Sequence, residues 1–264
     1  MKILLLGARG MLGSDLQPAL SARHEITARD IQDLDITDAG QVEAEIGNLR
    51  PHAVINLAAF TDVDGCESQP ERAFSVNERG AGNVARASEA AGARLIHLST
   101  DYVFDGTSSA PCREDAVPRP LNVYGESKLR GERAVQAAGE NHLILRTAWL
   151  YGRHGKNFVD TILRLASRQE ELRVVDDQKG SPTFTRDLSL AVAQLVEKDL
   201  RGILHVANSG SCTWFEFAEK ILALRPPLHG RVRVLPISSS ELNRPARRPA
   251  FSVLDCSRFE REAG

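Results

Sequence analysis

Short apolar runs alternate with helix-like segments through the first part of the chain. The runs typical of strands lie at 2–6, 24–28, 53–57, 94–98 and 143–146. The helix-like patterns lie at 11–20, 38–49, 71–91 and 124–138. Strands that alternate with helices in this way are typical of an α/β protein with a parallel sheet. The pattern therefore predicts a Rossmann-type, doubly wound sheet over residues 1–150.

The alternation weakens beyond residue 150. Helical patterns remain at 158–166, 187–197 and 214–223, and strand-like runs at 172–175 and 203–206. We predict a smaller second lobe from residues 151–264, with segments at about 185–208 returning to the first domain. The stretch 105–120 is rich in Gly, Ser and Pro, which predicts a long loop. Residues 62–67 are also expected to form a loop, and Thr37 to cap the helix at 38–49.

Composition limits the compartment and the partners. The chain of 264 residues carries 33 basic and 35 acidic residues, a net charge of −2 that favours neither nucleic acid nor a membrane surface. Cys66, Cys112, Cys212 and Cys256 form no CxxC pair, which favours reduced thiols over disulfides or a zinc site. The apolar N-terminal run is too short for a signal peptide or a membrane span. We expect a cytoplasmic protein.

A glycine-rich turn follows the first predicted strand. Gly7, Gly10 and Gly13 fall in the segment GARGMLG, and Arg9, Met11 and Leu12 lie between them. Glycines at such a turn let the backbone approach a pyrophosphate, and the following helix N-terminus offers free N–H groups to the anion. The segment predicts dinucleotide binding, and its GxxGxxG spacing is similar to that of short-chain dehydrogenases.

The residues expected around the rest of the dinucleotide leave the coenzyme open. Asp30 ends the second strand, where an acid takes the ribose hydroxyls of NAD, whereas Arg9 and Arg29 favour the 2′-phosphate of NADP. Both NADPH and NADH stay candidates. Asp35 either contacts the adenine or fixes its own turn. The segment 59–61, with Ala59, Phe60 and Thr61, follows a strand end and allows a cofactor to cross the sheet.

Candidate catalytic residues lie between residues 100 and 128. Tyr124 and Lys128 share one face of a predicted helix, and Thr100 follows a predicted strand. An ammonium at ~4 Å favours the phenolate by roughly 4 kcal/mol at most, which predicts that Lys128 lowers the pKa of Tyr124 by about two to three units. Thr100 would hold a carbonyl oxygen while charge builds on it. This arrangement suits combined proton and hydride transfer.

Three other features allow two interpretations each. Asn77 is by default a surface amide, and otherwise steadies the site through the backbone. Trp149 either stacks on a sugar ring or is a core or interface aromatic residue. The arginines of 244–249 either recognise a diphosphate or form a solvated turn.

Several motifs together resemble one known family. They are GARGMLG, NLAAFTDVDGCE, LSTDYVFDG, PLNVYGESK, RTAWLYG, KNFV, DDQKGSPT, HVANSG and RPAFSVLD. Over nearly the whole chain these segments resemble the dTDP-4-dehydrorhamnose reductases, which are extended short-chain dehydrogenases/reductases. A sugar-nucleotide dehydratase is expected to carry Asp-Glu after the catalytic Thr, whereas Asp101 and Tyr102 stand here.

The resemblance implies a reaction and a set of roles. The family reduces the 4-keto group of dTDP-4-dehydro-β-L-rhamnose to dTDP-L-rhamnose with NADPH or NADH. By this resemblance Tyr124 gives the proton, Lys128 holds the nicotinamide ribose and Thr100 orients the carbonyl. The remaining implied contacts are Gly10, Met11 and Leu12 with the pyrophosphate, Asp35 and Ile36 with the adenine side, 59–61 with the middle of the cofactor, and Thr100, Asp101 and Trp149 with the sugar.

The chain departs from the family pattern at two places. The family usually continues past RPAFSVLD into a closing helix with a Trp, which is not expected here. Some members use magnesium at an acidic dimer contact; Asp15 matches one such acid, but Arg186 replaces another, so we expect no required metal. A homodimer is one assembly open to the chain. Two alternatives remain: a reductase or epimerase of another nucleotide-linked deoxysugar, and a non-catalytic NAD(P)-binding regulatory subunit.

Overall fold

The computed structural model describes residues 1–225 and 231–263. Residues 226–230 and 264, which the predicted second lobe includes, lie outside the described residues. The strands are β1 (Lys2–Leu6), β2 (Glu25–Arg29), β3 (Ala53–Asn56), β4 (Arg94–Thr100), β5 (His142–Thr147), β6 (Leu150–Tyr151), β7 (Glu171–Val175), β8 (Lys179–Gly180), β9 (Thr183–Phe184), β10 (Gly202–His205), β11 (Cys212–Thr213) and β12 (Arg233–Ile237). The helices are α1 (Met11–Ser21), α2 (Ala39–Leu49), α3 (Val63–Ser68), α4 (Pro70–Phe74), α5 (Ala81–Ala90), α6 (Val123–Ala138), α7 (Phe158–Ala166), α8 (Thr185–Leu195), α9 (Trp214–Ala223), α10 (Ser239–Leu242) and α11 (Ser257–Ala263).

A parallel sheet of six strands organises the fold, in the order β10-β5-β4-β3-β1-β2. The chain runs from β1 to one edge and then returns to build the other side, so the order reverses between β1 and β3. Side chains alternate across the sheet: Ile3 and Leu5 pack with α1 and α8, whereas Leu4 and Leu6 pack with α2 and α5. Helices thus cover both faces, and the predicted doubly wound α/β fold is confirmed.

A smaller hydrophobic cluster lies apart from the sheet. Strands β7 and β12 pair in parallel, and α7 and α9 pack against them through residues such as Ile162, Leu172 and Ile221. Helix α8 packs on α1, and β10 pairs with β5. The segment 185–205 therefore belongs to the large sheet and its helices, and not to the smaller cluster. No helix within residues 1–225 and 231–263 is long and apolar enough to cross a membrane.

Most predicted elements lie within one or two residues of their positions, and two local predictions are wrong. Thr37 does not cap α2, because its N–H and hydroxyl both donate to Asp35, at 2.9 and 2.8 Å. Asp38 is the cap and accepts from the N–H of Gln41 at 3.0 Å. Residues 62–67 are not a loop: Asp62 caps α3 by accepting from the N–H of Gly65.

Two longer segments also differ from expectation. The helix predicted at 71–91 is interrupted by a π-helical stretch, Ser75–Gly80, between α4 and α5. A short closing helix, α11, is present, although it carries no Trp. Its last carbonyls accept from Nζ of Lys198, and Phe259 packs on the main core.

Candidate active site

One large cavity lies at the carboxyl ends of the central strands, where the strand order reverses. Its volume is about 740 Å³, and its lining includes every predicted catalytic, cofactor-binding and sugar-binding residue but none of the arginines of 244–249. Ligands of open α/β sheets bind at such a reversal. The fold therefore gathers, at the carboxyl ends of the strands, predicted site residues that lie as far apart in the sequence as Gly7 and Trp149.

The glycine turn is shaped by close backbone approaches. Gly7 has φ +74°, and a Cβ there would lie 2.8 Å from the nitrogen of Ala58. A Cβ on Gly13 would lie 2.5 Å from the carbonyl oxygen of Gly7, so α1 packs tightly under the turn. Gly10 precedes α1 without any side-chain cap, which leaves the first N–H groups of the helix for an anion. These residues fit a dinucleotide pyrophosphate.

The acid and the two arginines near the second strand already have protein partners. The carboxylate of Asp30 accepts from the N–H groups of Arg9 and Ile31, at 2.8 and 2.9 Å. The Arg9 side chain is 3.3 Å from Asp33, and Arg29 is 2.8 Å from Glu45. Both features therefore serve the local structure, and NAD and NADP remain equally compatible with the geometry.

The catalytic candidates converge at the end of β4. Asn122 caps α6 by accepting from the N–H of Gly125 at 2.7 Å, which fixes the helix turn that carries Tyr124. Nζ of Lys128 donates to the carbonyl oxygen of Leu98 at 2.6 Å. The Thr100 hydroxyl lies close enough to the Tyr124 phenol to lower the pKa of the phenol. Thr100 and Lys128 are buried, and Tyr124 keeps some surface open to the cavity.

The protonation of the pair differs from the sequence prediction. Burial raises the pKa of Tyr124 above its usual value; the Thr100 hydrogen bond lowers it, and nearby Asp101 raises it further. The prediction that Lys128 lowers this pKa is wrong, because the ammonium is directed at a backbone carbonyl and burial outweighs the neighbours. Burial lowers the pKa of Lys128 to about 8, against a rise caused by Glu132. At neutral pH the phenol keeps its proton and the amine is charged.

Asp101 is a buried acid on the cavity wall, only 2% exposed. Its Oδ1 accepts from the Thr100 hydroxyl at 3.0 Å, whereas Oδ2 makes no hydrogen bond of good geometry with any described residue. Burial raises the pKa of Asp101 to about 6, although the hydroxyls of Ser252 and Thr100 lower it. The hydroxyl of Thr147, also on the cavity wall, is likewise unpartnered among described residues. These atoms suit a ligand rich in hydroxyl groups.

An aromatic pair forms another part of the cavity wall. The Trp149 and Trp214 rings stack 3.5 Å apart at 4°, and both residues line the cavity. Trp149 has the left-handed φ of +47°, and its indole lies so close to Gly180 that a Cβ there would overlap it. Trp149 is therefore an interface aromatic residue that also lines the cavity, and its contact with a sugar ring stays a prediction. The sequence reasoning missed Trp214, although it is one of only two Trp and opens a capped helix.

Asn77 is a buried structural partner of the cavity, so its default interpretation as a surface amide is wrong. It is 1% exposed, accepts from the N–H of Phe60 at 2.8 Å and donates to the Phe60 carbonyl at 3.0 Å. It also donates to the hydroxyl of Ser127, which in turn donates to the carbonyl of Tyr124. Asn77 therefore links the predicted cofactor segment to the catalytic helix.

The basic cluster is held by an acid. Arg248 contacts both carboxylate oxygens of Asp64, at 3.1 and 2.9 Å, and Arg244 lies 3.3 Å from the same group. The Arg248 charge also acts on the Tyr102 phenol, where it opposes the rise in pKa that burial causes, and the Tyr102 ring meets the Tyr124 ring edge-on at 5.7 Å. The C-terminal segment is thus tied to α3 next to the catalytic helix, and a freely solvated turn does not describe Arg248.

Asp15, the acid that matched a metal ligand of some family members, has protein partners. Its Oδ2 accepts from the Thr185 hydroxyl at 2.5 Å, and Nε2 of His154 lies 3.7 Å from Oδ1. Within residues 1–225 and 231–263, no three His, Cys, Asp or Glu side chains form a metal-binding group. The four cysteines are free, and Cys66 and Cys112 are buried.

Comparisons with known proteins agree with this geometry. The family model described as the RmlD substrate binding domain matches residues 1–264. A dTDP-4-dehydrorhamnose reductase of Sinorhizobium fredii is 41% identical over 272 residues, covering 100% of this chain and 92% of the relative. A dTDP-4-keto-6-deoxy-D-glucose reductase of Streptomyces niveus is 42% identical, over 99% of this chain and 90% of the relative.

A solved structure is equally similar. It is a dTDP-4-dehydrorhamnose reductase of Bacillus anthracis in complex with NADP, with a TM-score of 0.94 and 42% identity. The match covers 98% of this chain and 92% of that chain. Both sequence and fold are therefore similar to these reductases over almost their whole length.

Proposed function

Because the chain belongs to the RmlD substrate binding domain family, we propose that it reduces the 4-keto group of dTDP-4-dehydro-β-L-rhamnose with NADPH or NADH, forming dTDP-L-rhamnose for cell-surface polysaccharide. One observation carries the proposal. Thr100, Tyr124 and Lys128 converge on the same cavity as the glycine turn. A proton donor and a dinucleotide site thus share one enclosed space, as hydride transfer to a carbonyl requires.

The cavity wall divides into parts with different tasks. When bound, the nicotinamide supplies the hydride that attacks the keto carbon. The turn at Gly10, Met11 and Leu12 holds the pyrophosphate through backbone N–H groups. Asp35 and Ile36 face the adenine side, and 59–61 face the middle of the cofactor. The division into a cofactor domain at 1–150 and a mainly substrate-binding lobe at 151–264, with segments at about 185–208 returning to the first domain, is part of the same proposal.

Tyr124 is the proton donor in this reaction. Because burial raises its pKa, the phenol is fully protonated at neutral pH and supplies a proton to the oxygen at C4 as negative charge develops there. With substrate bound, the Thr100 hydroxyl turns its proton from Oδ1 of Asp101 to the same oxygen and stabilises that charge. Lys128 holds the nicotinamide ribose through its buried ammonium, which the carbonyl of Leu98 keeps in place.

Asp101 and Trp149 hold the sugar. The free Oδ2 of Asp101 accepts a sugar hydroxyl, and the indole of Trp149 packs against an apolar face of the ring. Asp101 acts beside Thr100, so the sugar hydroxyl and the keto oxygen are fixed from one strand end. This contact orients the 4-keto group toward Tyr124.

The test is direct. The purified chain is mixed with dTDP-4-dehydro-β-L-rhamnose and either NADPH or NADH, and the absorbance of the reduced nicotinamide is followed. We expect oxidation of the nicotinamide and a dTDP-L-rhamnose product, and near loss of both in Lys128→Met. Cofactor binding without turnover of any keto sugar would instead favour the non-catalytic regulatory subunit.

A second candidate is a reductase of another dTDP-linked 4-keto deoxysugar, because the Streptomyces niveus relative is named for the D-glucose-derived sugar. The two are separated by kcat/KM for the L-configured and D-configured 4-keto sugars at equal cofactor concentration. The absence of a required metal, a cytoplasmic location and a homodimer remain predictions.

A further inference from the structure

A buried ion pair lies behind the catalytic residues. Glu132 of α6 and Arg146 of β5 are each 1% exposed. Nη2 and Nε of Arg146 donate to the two carboxylate oxygens of Glu132, at 2.7 and 2.9 Å. Such a two-point contact fixes both the distance and the orientation of the groups.

This pair connects directly to the active-site elements. Glu132 follows Lys128 by one helical turn, as Lys128 follows Tyr124, so the three share one face of α6. The hydroxyl of Ser99 donates to Glu132 at 2.5 Å. Ser99 lies between Leu98, whose carbonyl accepts from Lys128, and Thr100. One carboxylate therefore ties the catalytic helix to the strand end that carries the catalytic hydroxyl.

Arg146 is held from its other side. Its Nη1 lies 3.4 Å from Nε2 of His205, and its guanidinium is 5.2 Å from the centre of the Phe104 ring. Nδ1 of His205 is 3.0 Å from the Cys112 carbonyl. The Glu132 carboxylate therefore has a rigid support that reaches across β4, β5 and β10.

We propose that Glu132 is a positioning residue for the reduction: it fixes the end of β4 against α6 through Ser99 and Arg146, and supplies the negative charge that faces Lys128. The inference rests on the proposed function. Glu132 does not line the cavity, so it acts only through the residues that do.

Among the described residues, the Glu132 carboxylate is the charge that raises the pKa of Lys128. Of the titratable groups around it, Tyr124 on the same helix keeps its proton, and His97 on β4 is neutral, because burial and the Lys128 charge hold its pKa well below its ordinary value. Arg146 on β5 is paired with Glu132. Burial lowers the pKa of Lys128 to about 8 and Glu132 raises it, so loss of the carboxylate lowers this pKa further.

The first readout follows Lys128 itself and needs no turnover. The ε-carbon signals of isotopically labelled lysine are titrated by NMR, and Lys128 is assigned by its loss in Lys128→Arg. In Glu132→Gln we expect the Lys128 midpoint to fall by about one pH unit or more. The matched control is Glu126→Gln on the same helix, whose partner Arg130 is exposed, and there the midpoint stays unchanged.

The second variant guards against misfolding. Glu132→Gln leaves Arg146 buried and unpaired, whereas Glu132→Leu with Arg146→Met removes both charges and keeps an apolar core. In this double variant the Lys128 midpoint falls as well, and the alkaline limb of the kcat profile moves to lower pH by the same amount. The KM for the nicotinamide cofactor changes less than kcat.

Each outcome has one meaning. A folded double variant with an unchanged Lys128 midpoint and an unchanged kcat profile overturns the role of Glu132, even if the native chain is active. A native chain that turns over no keto sugar overturns the proposed function, while the NMR midpoints still report on the charge. The two failures are thus distinguished.

Discussion

Two consecutive residues at the end of β4, Ser99 and Thr100, serve different surroundings. The Thr100 hydroxyl lies beside Asp101, whose Oδ2 has no good hydrogen bond among the described residues. The Ser99 hydroxyl donates to Glu132, whose two oxygens are both bonded to Arg146. Both carboxylates are buried, yet Oδ2 of Asp101 on the cavity side keeps unused bonding capacity, whereas both oxygens of Glu132 are hydrogen-bonded. Polar burial alone therefore does not identify an active site, whereas incomplete bonding next to a cavity does.

The two sides also differ in what they contribute to stability. An unsatisfied buried polar group costs roughly 1–3 kcal/mol, so the cavity side gives up stability that a bound ligand can restore. A buried ion pair contributes little net stability, but removing one partner costs about 3–5 kcal/mol. Removal of one partner of the Glu132–Arg146 pair is therefore expected to destabilise the fold, whereas removal of an unsatisfied group from the cavity wall is not.

The strongest test of this contrast is Tyr124→Phe. Loss of one cavity-side hydroxyl removes the proton donor, and general acid catalysis typically contributes roughly 10²–10⁴-fold to the rate. We expect kcat to fall by that factor with NADPH binding nearly unchanged. Steady-state kinetics and a cofactor titration measure both quantities.

Tyr151→Phe is the matched control, since this tyrosine is only half-buried and lies outside the cavity lining. Its kcat should stay close to that of the native chain. A Tyr124→Phe enzyme that retained most of its kcat would show that another group delivers the proton, and Thr100 and Asp101 would be the next residues to test.

Asp101→Asn gives the second largest effect, and it is on stability. Burial raises the pKa of Asp101 to about 6, against an ordinary value of 3.8, so the folded state binds more protons than the unfolded state between these pH values. The contribution of Asp101 to native stability therefore falls as pH rises from about 4 to 6, by roughly 3 kcal/mol at about 1.4 kcal/mol per pKa unit. Asn carries no charge, so this loss does not occur in the variant. Above pH 6 the unfolding free energy of Asp101→Asn, relative to that of the native chain, should be higher by that amount than it is at pH 4.

Urea unfolding at several pH values measures this difference. Asp38→Asn is an informative control, because hydrogen bonds from Gln41 lower the pKa of this exposed cap. A lowered pKa contributes stability that is lost as pH falls, so any loss in Asp38→Asn shrinks toward acid pH, opposite in sign to Asp101→Asn. If the change in unfolding free energy caused by Asp101→Asn did not depend on pH, burial would not raise the pKa of this carboxyl.

Part of this arrangement was predictable because its causes are local. The glycine turn, the helix that carries Tyr124 and Lys128, and the alternation of strands are patterns within short windows, and the strand ends of a parallel sheet meet at one edge. Helices α7 and α9 coincide with the segments predicted at 158–166 and 214–223. Local prediction failed where two neighbouring residues could each cap the same helix. Thr37 donates to Asp35, so Asp38 caps α2 in its place.

The rest depends on partners far apart in the chain. Asn77 reads as a surface amide until Phe60 and Ser127 are brought against it. Trp214 reaches the cavity because α9, which belongs to the smaller hydrophobic cluster, places its ring against that of Trp149. The pKa of Tyr124 could not be obtained from spacing, because the direction of the Lys128 ammonium and the burial of the phenol are tertiary properties.

A smaller effect is expected from Gly13→Ala, at the close approach of the cavity turn. The added Cβ would lie 2.5 Å from the Gly7 carbonyl oxygen, a backbone atom that moves only with the turn. We expect a loss of roughly 1–3 kcal/mol in unfolding free energy and weaker cofactor binding. Calorimetry and a cofactor titration measure these changes.

Gly47→Ala is its control in α2, where an added Cβ meets nothing within 4 Å. There the substitution should stabilise the chain by about 0.5–1 kcal/mol, because alanine is the better helix former. If both variants lost stability equally, the tight packing under the turn would not explain the need for glycine at position 13.

The smallest effect sharpens the contrast at the aromatic wall. Trp214→Phe weakens the stack that supports Trp149, and such a stack contributes about 0.5–1.5 kcal/mol beyond its buried area. We expect the KM for the keto sugar to rise roughly 2–10-fold with kcat nearly kept. The variant leaves Trp149 as the chain's only tryptophan, so its fluorescence should then respond to the sugar nucleotide.

Trp149→Phe should raise KM further, because it changes the residue proposed to touch the sugar. The contrary result would be a Trp214→Phe chain with the native KM and a Trp149 emission that does not respond to the sugar nucleotide. Trp214 would then belong to the smaller hydrophobic cluster of α7, α9, β7 and β12 and not to the wall of the cavity.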